Sequence, residues 1–372
     1  MKKKKTILKI IIFLILINAF TIKSFATQVS AQSAIVIEAK SRKIIFAKNE
    51  NKILQMASTT KIMTALTVIE EYPDLEKIVA VPQKAANTEG SSMYLKANEK
   101  ISVKSLLYGL MLVSGNDAAN TLALTLGENE ENFVNKMNEK AKEIGLKDTN
   151  FKNPSGLPNE EHFTTAKELS LIAARAMENE TFCQIVKTKS IHDNNRTLVN
   201  HNKLLSLYDS CIGIKTGFTK TAGRCLVSAA QKDGITLIAV TLNAPDDWND
   251  HINMFNESFD KTQRITLLKP NELSYEIDVG GGIENKVRVT NTQEATAVIV
   301  DNENNFETKV LLPSFVFAPL EKGAQIGAVE YYQEGKLVFQ VPLCTQDEVK
   351  AAKKPPFSRR FILALYDIFN CI

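Results

Sequence analysis

Two strand pairs lying far apart in the chain constrain its fold more than any other feature. Residues 33–39 and 43–47 are apolar runs joined through Lys40-Ser41-Arg42, and residues 225–230 and 235–242 form a second pair joined through Lys232-Asp233-Gly234. A helix is expected from Ser58 to about Glu71, where Ile62, Leu66 and Ile69 share one face and Tyr72-Pro73 ends it. Residues 103–217 are mostly helical in pattern, interrupted by the loop 153–158. Strands at both ends with helices between them predict an α/β (α+β) domain whose antiparallel sheet is flanked by helices and carries a helical insert.

The texture changes near Pro270. Short alternating stretches at 285–290, 297–300, 327–332 and 336–341 recur between Gly- and Asn-bearing turns, the pattern of a small all-β sandwich. The 372 residues thus divide into an amino-terminal segment 1–26, a main domain 27–271, a β-sandwich domain 272–346, and a linker and tail 347–372. No repeat or low-complexity tract interrupts this plan.

The amino terminus has the layout of a secretory signal peptide. Lys2 to Lys5 precede an apolar stretch from Ile10 to Ile22, and Ser24-Phe25-Ala26 supplies small residues for cleavage after Ala26. Val29-Ser30-Ala31 offers a second cut after Ala31 with the same spacing, and an uncleaved anchor helix is the bland alternative. The formal charge of +3 comes from 45 basic against 42 acidic residues, and the first 26 residues hold six of the lysines and no acid. The remainder is slightly acidic, so nucleic acid is not an expected partner. Hydrophobic residues at 44% and charged residues at 23% exclude a mainly disordered chain.

The carboxy-terminal segment is amphipathic. After Lys353-Lys354-Pro355-Pro356, the residues Phe361, Ile362, Leu365, Ile368, Phe369 and Ile372 fall on one helical face, opposite Arg359, Arg360, Asp367 and Asn370. Sixteen residues rise about 24 Å, too short to span a bilayer, so residues 357–372 are expected to lie in the membrane interface. Docking on the protein's own surface is the alternative. The cysteines, Cys183, Cys211, Cys225, Cys344 and Cys371, are sparse and odd in number and are expected to be free thiols. Neither they nor the scattered His162, His192, His201 and His251 have metal-ligand spacing.

Chemistry enters with Ser58-Thr59-Thr60-Lys61. Three residues apart on a helix, the amine of Lys61 can reach the hydroxyl of Ser58, and a buried lysine of depressed pKa can take that hydroxyl's proton. The spacing alone is weak: Ser258-Phe-Asp-Lys261 repeats it and is expected to be a solvated helix face. Two further triplets distinguish the first. Ser114-Gly115-Asn116 adds a hydroxyl and a carboxamide on a loop, and Lys215-Thr216-Gly217 ends a strand on which Gly213, Lys215 and Gly217 share a face. Gly217 is expected to leave room there for a substrate to lie against the backbone.

These three triplets, in this order, resemble the motifs of the serine D-Ala-D-Ala carboxypeptidase family, the low-molecular-mass penicillin-binding proteins. Segments 57–65, 107–119, 153–158, 162–166, 213–219 and 222–226 all resemble the family's extended motifs. The resemblance implies a serine β-lactamase/transpeptidase-like catalytic domain, a C-terminal β-sandwich domain and an amphipathic tail that anchors to the membrane. It also implies roles. Ser58 would be the acyl-ester nucleophile, Lys61 its general base and Ser114 a proton relay to the leaving D-alanine. Asn116 would hold the peptide and orient Lys61, and Lys215, Thr216 and Gly217 would bind the substrate, the first two through its carboxylate. Backbone N–H groups of Ser58 and Phe218 would form the oxyanion hole. The implied partners are a peptidoglycan stem peptide ending in D-Ala-D-Ala, β-lactams as covalent inhibitors, and a membrane surface. The implied location is the outer face of the cytoplasmic membrane. No metal or organic cofactor is called for.

One departure is visible. Related enzymes often carry an arginine downstream of the third motif, and the stretch Asp246-Asp-Trp-Asn-Asp-His251 has none. Its acids are expected at a helix N-terminus rather than around a metal, and His162 is expected to be a structural hydrogen-bonding residue. Competing readings are a β-lactamase, disfavoured by the lack of a Glu-x-x-Leu-Asn context between Asn116 and Lys215, a D,D-endopeptidase, and a non-catalytic wall-binding protein.

Overall fold

The computed structural model describes residues 28–353. The expected signal segment with its cut after Ala26, and the expected amphipathic tail 357–372, fall outside the described residues. The chain divides into two compact units, residues 1–260 and 261–372.

The first unit is built on a five-stranded antiparallel sheet. Its strands are β1 (Ser33–Glu38), β2 (Ile44–Lys48), β3 (Cys211–Thr219), β4 (Gly223–Lys232) and β5 (Ile235–Leu242), in the order β2-β1-β5-β4-β3. Both expected strand pairs therefore meet edge to edge, β1 against β5, although about 200 residues separate them. Both faces of the sheet are covered, which is why its central strands read as nearly unbroken apolar runs. Ile35, Ile37, Val227, Ala229, Ile238 and Val240 join the large core on one side. Leu226 lies in a second cluster beneath the last helix of the unit.

The insert supplies the helices of the first face. A 3₁₀ turn at Ala57–Thr60 runs directly into α1 (Lys61–Glu71). Then come α2 (Val103–Leu112), α3 (Asn116–Leu126), α4 (Glu130–Ile144), α5 (Ala166–Ala176) and α6 (Glu180–Lys187). Their starts are marked by side-chain caps: Ser102, Asn129, Thr165 and Asn179 each accept a backbone N–H three residues on. The apolar faces of α1 and α3 are buried almost throughout, so the segment bearing the first motif is a core element, not a surface helix. The insert is not helical throughout, since Ser190–Asp193 and Arg196–Val199 form a hairpin. On the opposite face lies α7 (Asp247–Lys261), fixed by His251, which bonds to Ser228 of β4 and Thr241 of β5.

Two expectations are corrected here. Ser258 in α7 is 1% exposed, so the second Ser-x-x-Lys does not sit on a solvated face; its serine points into the packing of α7. The boundary expected at residue 271 is also too late. Residues 262–268 form β6 (Thr262–Leu268), which pairs along its length with β9 (Ala295–Val300), so this strand belongs to the second unit. A strand contiguous with a helix gives no break in the sequence pattern.

The second unit is all β. Besides β6 and β9 it has β7 (Ser274–Gly280), β8 (Lys286–Asn291), β10 (Glu307–Leu311), β11 (Phe315–Phe317), β12 (Gln325–Gln333) and β13 (Lys336–Thr345). The last six form one sheet ordered β10-β12-β13-β8-β7-β11, around a core that includes Ile277, Val287, Val289, Val329, Val341 and Leu343. The four described cysteines, Cys183, Cys211, Cys225 and Cys344, are free.

Candidate active site

The 3₁₀ turn that carries Ser58 packs against the edge strand β3, and three loops close around Lys61. Ala57, just before Ser58, has φ +47°, a left-handed conformation that a non-glycine residue adopts only when its surroundings hold it. Those surroundings are visible. Thr59 and Thr60 return their hydroxyls to the carbonyls of Met56 and Ala57 at 2.6 and 2.8 Å, and Gly156 presses so close that a Cβ there would lie 2.0 Å from the Ala57 carbonyl oxygen. Gly156 is itself left-handed at φ +84°.

Lys61 is fully buried, and its Nζ has three partners. It lies 3.0 Å from Ser58 Oγ, 2.7 Å from Asn116 Oδ1 and 2.6 Å from the Ser155 carbonyl oxygen. Two of these atoms can only accept. When the amine is neutral its two N–H bonds satisfy Asn116 and Ser155, and its lone pair is left facing the one partner able to donate, the Ser58 hydroxyl. Burial pushes the Lys61 pKa well below its ordinary value; the nearby charge of Lys215 lowers it further, and Asp117 opposes both.

The second motif joins α2 to α3. Ser114 adopts φ +61° and is 5% exposed, and its Oγ has no hydrogen-bond partner within the protein. A buried orphan hydroxyl is uncommon and costly, and here it lies in the motif beside the nucleophile. Asn116 is held at both ends of its carboxamide, since Nδ2 donates to the Glu89 carbonyl at 2.8 Å while Oδ1 accepts from Lys61. Its backbone N–H donates to the Ser91 carbonyl at 2.7 Å. Asp117, fully buried, accepts from the backbone N–H groups of Met93 and Leu95 and from Ser92 Oγ, which ties the segment 89–95 to this motif.

The third motif lies on the outer edge of the sheet. Lys215 pairs with Val227 and Gly217 with Cys225, which puts both on the face that carries the main core, as alternation predicted. The space beside Gly217 is not open to a substrate, however. A Cβ there would stand 3.0 Å from Ser58 N and 3.1 Å from Thr59 N. Glycine is needed at this position because the turn bearing the nucleophile packs against the strand. Lys215 is 1% exposed, donates from Nζ to the Thr216 carbonyl at 3.0 Å, and is pushed by burial down to about 7. Phe218, next along the strand, is 66% exposed and faces solvent.

Sequence reasoning brought together Ser58, Lys61 and Asn116 correctly and found Ser114, Lys215 and Gly217 in the surrounding wall. It missed the Ser155 carbonyl, because a backbone acceptor leaves no residue-type signal. The loop itself is one of the segments that resemble the family's motifs, and its Asn153 explains its shape: Oδ1 accepts from the N–H groups of Ser155, Gly156 and Leu157. It also missed Asp117, whose only signal was its place in the first turn of a helix. His162 is structural, as expected. Its Nδ1 accepts from the Lys152 N–H at 3.1 Å, so Nε2 carries the proton and donates to Thr60 Oγ1 at 2.7 Å. Burial and the Lys61 charge lower its pKa to about 4.

The acidic stretch that lacks the downstream arginine is engaged in packing. Asp247 and Asp250 open α7, but neither faces a vacant site. Asp250 accepts from Ser30 and Ala31, and Asp247 accepts two N–H bonds from Arg224 at 3.0 and 2.6 Å. Arg224, paired with Phe218 across the strands, is therefore committed to Asp247 and stacks on Trp248.

Comparison with known proteins agrees with this geometry. Residues 20–246 match the family model described as D-alanyl-D-alanine carboxypeptidase, and residues 263–351 match the C-terminal domain of penicillin-binding protein 5. D-alanyl-D-alanine carboxypeptidase DacF of Bacillus subtilis is 32% identical over 345 residues, covering 89% of this chain and 88% of that protein. Penicillin binding protein 5 of Haemophilus influenzae superposes with a TM-score of 0.67 at 27% identity, covering 87% of this chain and 99% of that one. A peptidoglycan synthesis regulatory factor of Streptococcus pneumoniae, at 21% identity, shares the fold with a TM-score of 0.76 over 87% of this chain. With its motifs gathered into one buried corner and its matches running the length of both units, the chain belongs to the D-alanyl-D-alanine carboxypeptidase family.

Proposed function

We propose that the protein is a serine D,D-carboxypeptidase that removes the terminal D-alanine from peptidoglycan stem peptides. The observation that carries this reading is the set of partners around Lys61 Nζ: two obligate acceptors and the Ser58 hydroxyl. Neutral Lys61 takes the proton of Ser58 Oγ as that oxygen attacks the carbonyl between the two D-alanines. The tetrahedral oxyanion is received by the N–H groups of Ser58 and Phe218, and Gly217 keeps the nucleophile turn close to the strand that supplies the second donor. The proton passes through Ser114 Oγ, which no protein group occupies, to the departing D-alanine amine. Water then attacks the acyl-enzyme and gives a proton to Lys61, which returns it to Ser58 Oγ as the acyl bond breaks and the shortened peptide leaves. Lys215 and Thr216 receive the terminal carboxylate, unaided by Arg224.

A β-lactam is attacked in the same way, but its leaving nitrogen stays tethered and shields the ester from water. Labelled penicillin should therefore acylate the purified protein, and a pentapeptide ending in D-Ala-D-Ala should yield free D-alanine. Ser58→Ala should abolish both. Full labelling of that variant would move the nucleophile elsewhere, and rapid antibiotic turnover without D-alanine release would favour the β-lactamase reading.

The same proposal places the protein outside the cytoplasmic membrane, cut after Ala26 and attached by its tail. Cleavage after Ala26 is supported over Ala31 by the packing of the intervening residues. Ser30 bonds Asp250 through both its N–H and its hydroxyl at 2.8 Å, Ala31 is fully buried, and the Val29 carbonyl accepts from Lys48. A cut after Ala31 would strip all of these. Deleting residues 357–372 should move the protein from the membrane to the soluble fraction; unchanged retention would sink the tail as anchor.

A further inference from the structure

The second unit carries an apolar surface that its own fold does not explain. β11 has the sequence Phe315-Val316-Phe317; Val316 packs against the core, while Phe315 and Phe317 are 54% and 69% exposed. An ordinary sheet edge turns polar residues outward and keeps aromatics inside. Here the largest side chains face solvent, stacked edge to face with ring centroids 5.3 Å apart. Ile283, 66% exposed, lies at the same end of the sheet. β11 runs parallel to β7, with Phe317 opposite Gly280, and the chain then turns through Ile283 into β8.

The described chain also ends here. Ala351 bridges Gly282, the Ile283 N–H donates to the Lys350 carbonyl, and the Ala352 N–H donates to the Gly281 carbonyl. The residues leading into the amphipathic tail therefore leave the domain at the turn that bears Ile283, within one strand of Phe317. Charge at this end is mixed: Lys350 and Lys353 are exposed, as are Glu284, Asp347 and Glu348, and Asp278 stands opposite Phe315 across the strands. Exposed aromatic rings and Ile283 at the root of an interfacial helix, with Lys350 and Lys353 nearby to meet headgroups, match the chemistry of a lipid interface.

We infer that Ile283, Phe315 and Phe317 form a second membrane contact, which enters the headgroup region beside the tail. This rests on the reading that the tail is an interfacial anchor. A single acyl chain gives marginal, reversible binding that a second signal makes stable, and the strength of an interfacial helix likewise grows with the apolar area buried. The patch is the second. It also restricts the orientation of the β unit, because two contacts at one end of a sheet constrain it more than one does.

The test uses the full mature chain and vesicles of phosphatidylglycerol and phosphatidylethanolamine, with binding read by co-sedimentation. The double variant Phe315→Ser/Phe317→Ser should lower the bound-to-free ratio about tenfold, with D-alanine release from a soluble peptide unchanged as the check on folding. Val310→Ser, on the edge strand β10 at the other side of the same sheet, should stay within about twofold of the parent. As a second readout, Phe317→Trp should show quenching by brominated lipid beyond that of Trp248 in the parent. If the parent binds and the double variant binds equally, the patch is overturned while the tail stands. If the parent does not bind at all, the tail reading fails first and the patch with it. If the double variant binds more tightly, the patch is a seat for the tail and the inference is wrong.

Discussion

The chain contains the same four-residue spacing twice, and only one copy has catalytic surroundings. Ser58 and Lys61 sit where a 3₁₀ turn passes into α1, and Ser258 and Lys261 sit in the last turn of α7. Both serines are largely or wholly removed from solvent. The lysines differ. Lys61 is fully buried between a nucleophile and two obligate acceptors, whereas Lys261 ends its helix half-buried, at the start of the second unit. Spacing brings an amine within reach of a hydroxyl; burial and the choice of neighbours make that amine a base. Besides Ser58, those neighbours come from residues 116 and 155, neither of them local in sequence.

The largest way to break this comparison is to remove each amine in turn. Lys61→Met should lower penicillin acylation and D-alanine release by about 10²–10⁴-fold, the range expected for a lost general base. Lys261→Met should leave both within about twofold. A large kinetic loss at Lys261 would mean that the two copies are functionally coupled.

A smaller effect concerns the histidines that hold the two segments. His162 fixes Thr60 in the first, and His251 fixes α7, which carries the second. Both are buried neutral, with pKa lowered to about 4 and about 3, chiefly by burial. A base whose pKa is lower folded than unfolded makes the unfolded chain take up more protons, so stability falls as pH drops below 6.5. Each should cost about 3 kcal/mol by pH 4. Thermal melts from pH 7 to 4 should therefore steepen in acid. His162→Gln and His251→Gln should each flatten part of that slope, but only the first should also slow acylation, through Thr60 and the nucleophile turn. Equal kinetic effects from both would remove the distinction.

How far the sequence discloses all this depends on whether a role belongs to a side chain or to a backbone. The sheet pairing was legible because alternation and a Lys-Asp-Gly turn are local signals. Ser58, Lys61 and Lys215 were legible because their chemistry requires those side chains. The Ser155 carbonyl was not, since any residue has one, and its position depends on Asn153 and Gly156. Gly217 was legible as a glycine but not for its reason, because its neighbours are the amides of Ser58 and Thr59 more than 150 residues away. The boundary after residue 260 was hidden because β6 follows α7 without a break, and its partner β9 lies about 30 residues on. The solvated reading of Ser258 failed for the same reason: a helix pattern does not say which face meets the sheet.

The smallest expected effect separates the two cations of the first copy. Lys61 must be neutral to act, and Lys215 must be charged to hold a carboxylate, yet both are buried, and the charge of Lys215 disfavours that of Lys61. In the free enzyme Lys215 loses its proton at about 7. Rising pH therefore removes the carboxylate's partner. Because kcat/KM reports the free enzyme, it should fall above about pH 7, approaching tenfold per unit, mainly through KM. A bound carboxylate raises the Lys215 pKa, so kcat should hold to higher pH. Lys215→Arg, with a cation that stays charged, should remove this alkaline limb even if it lowers the plateau. A kcat/KM that stays flat from pH 7 to pH 9 in the parent would mean that Thr216 and the backbone bind the carboxylate, and that Lys215 serves only to keep Lys61 neutral.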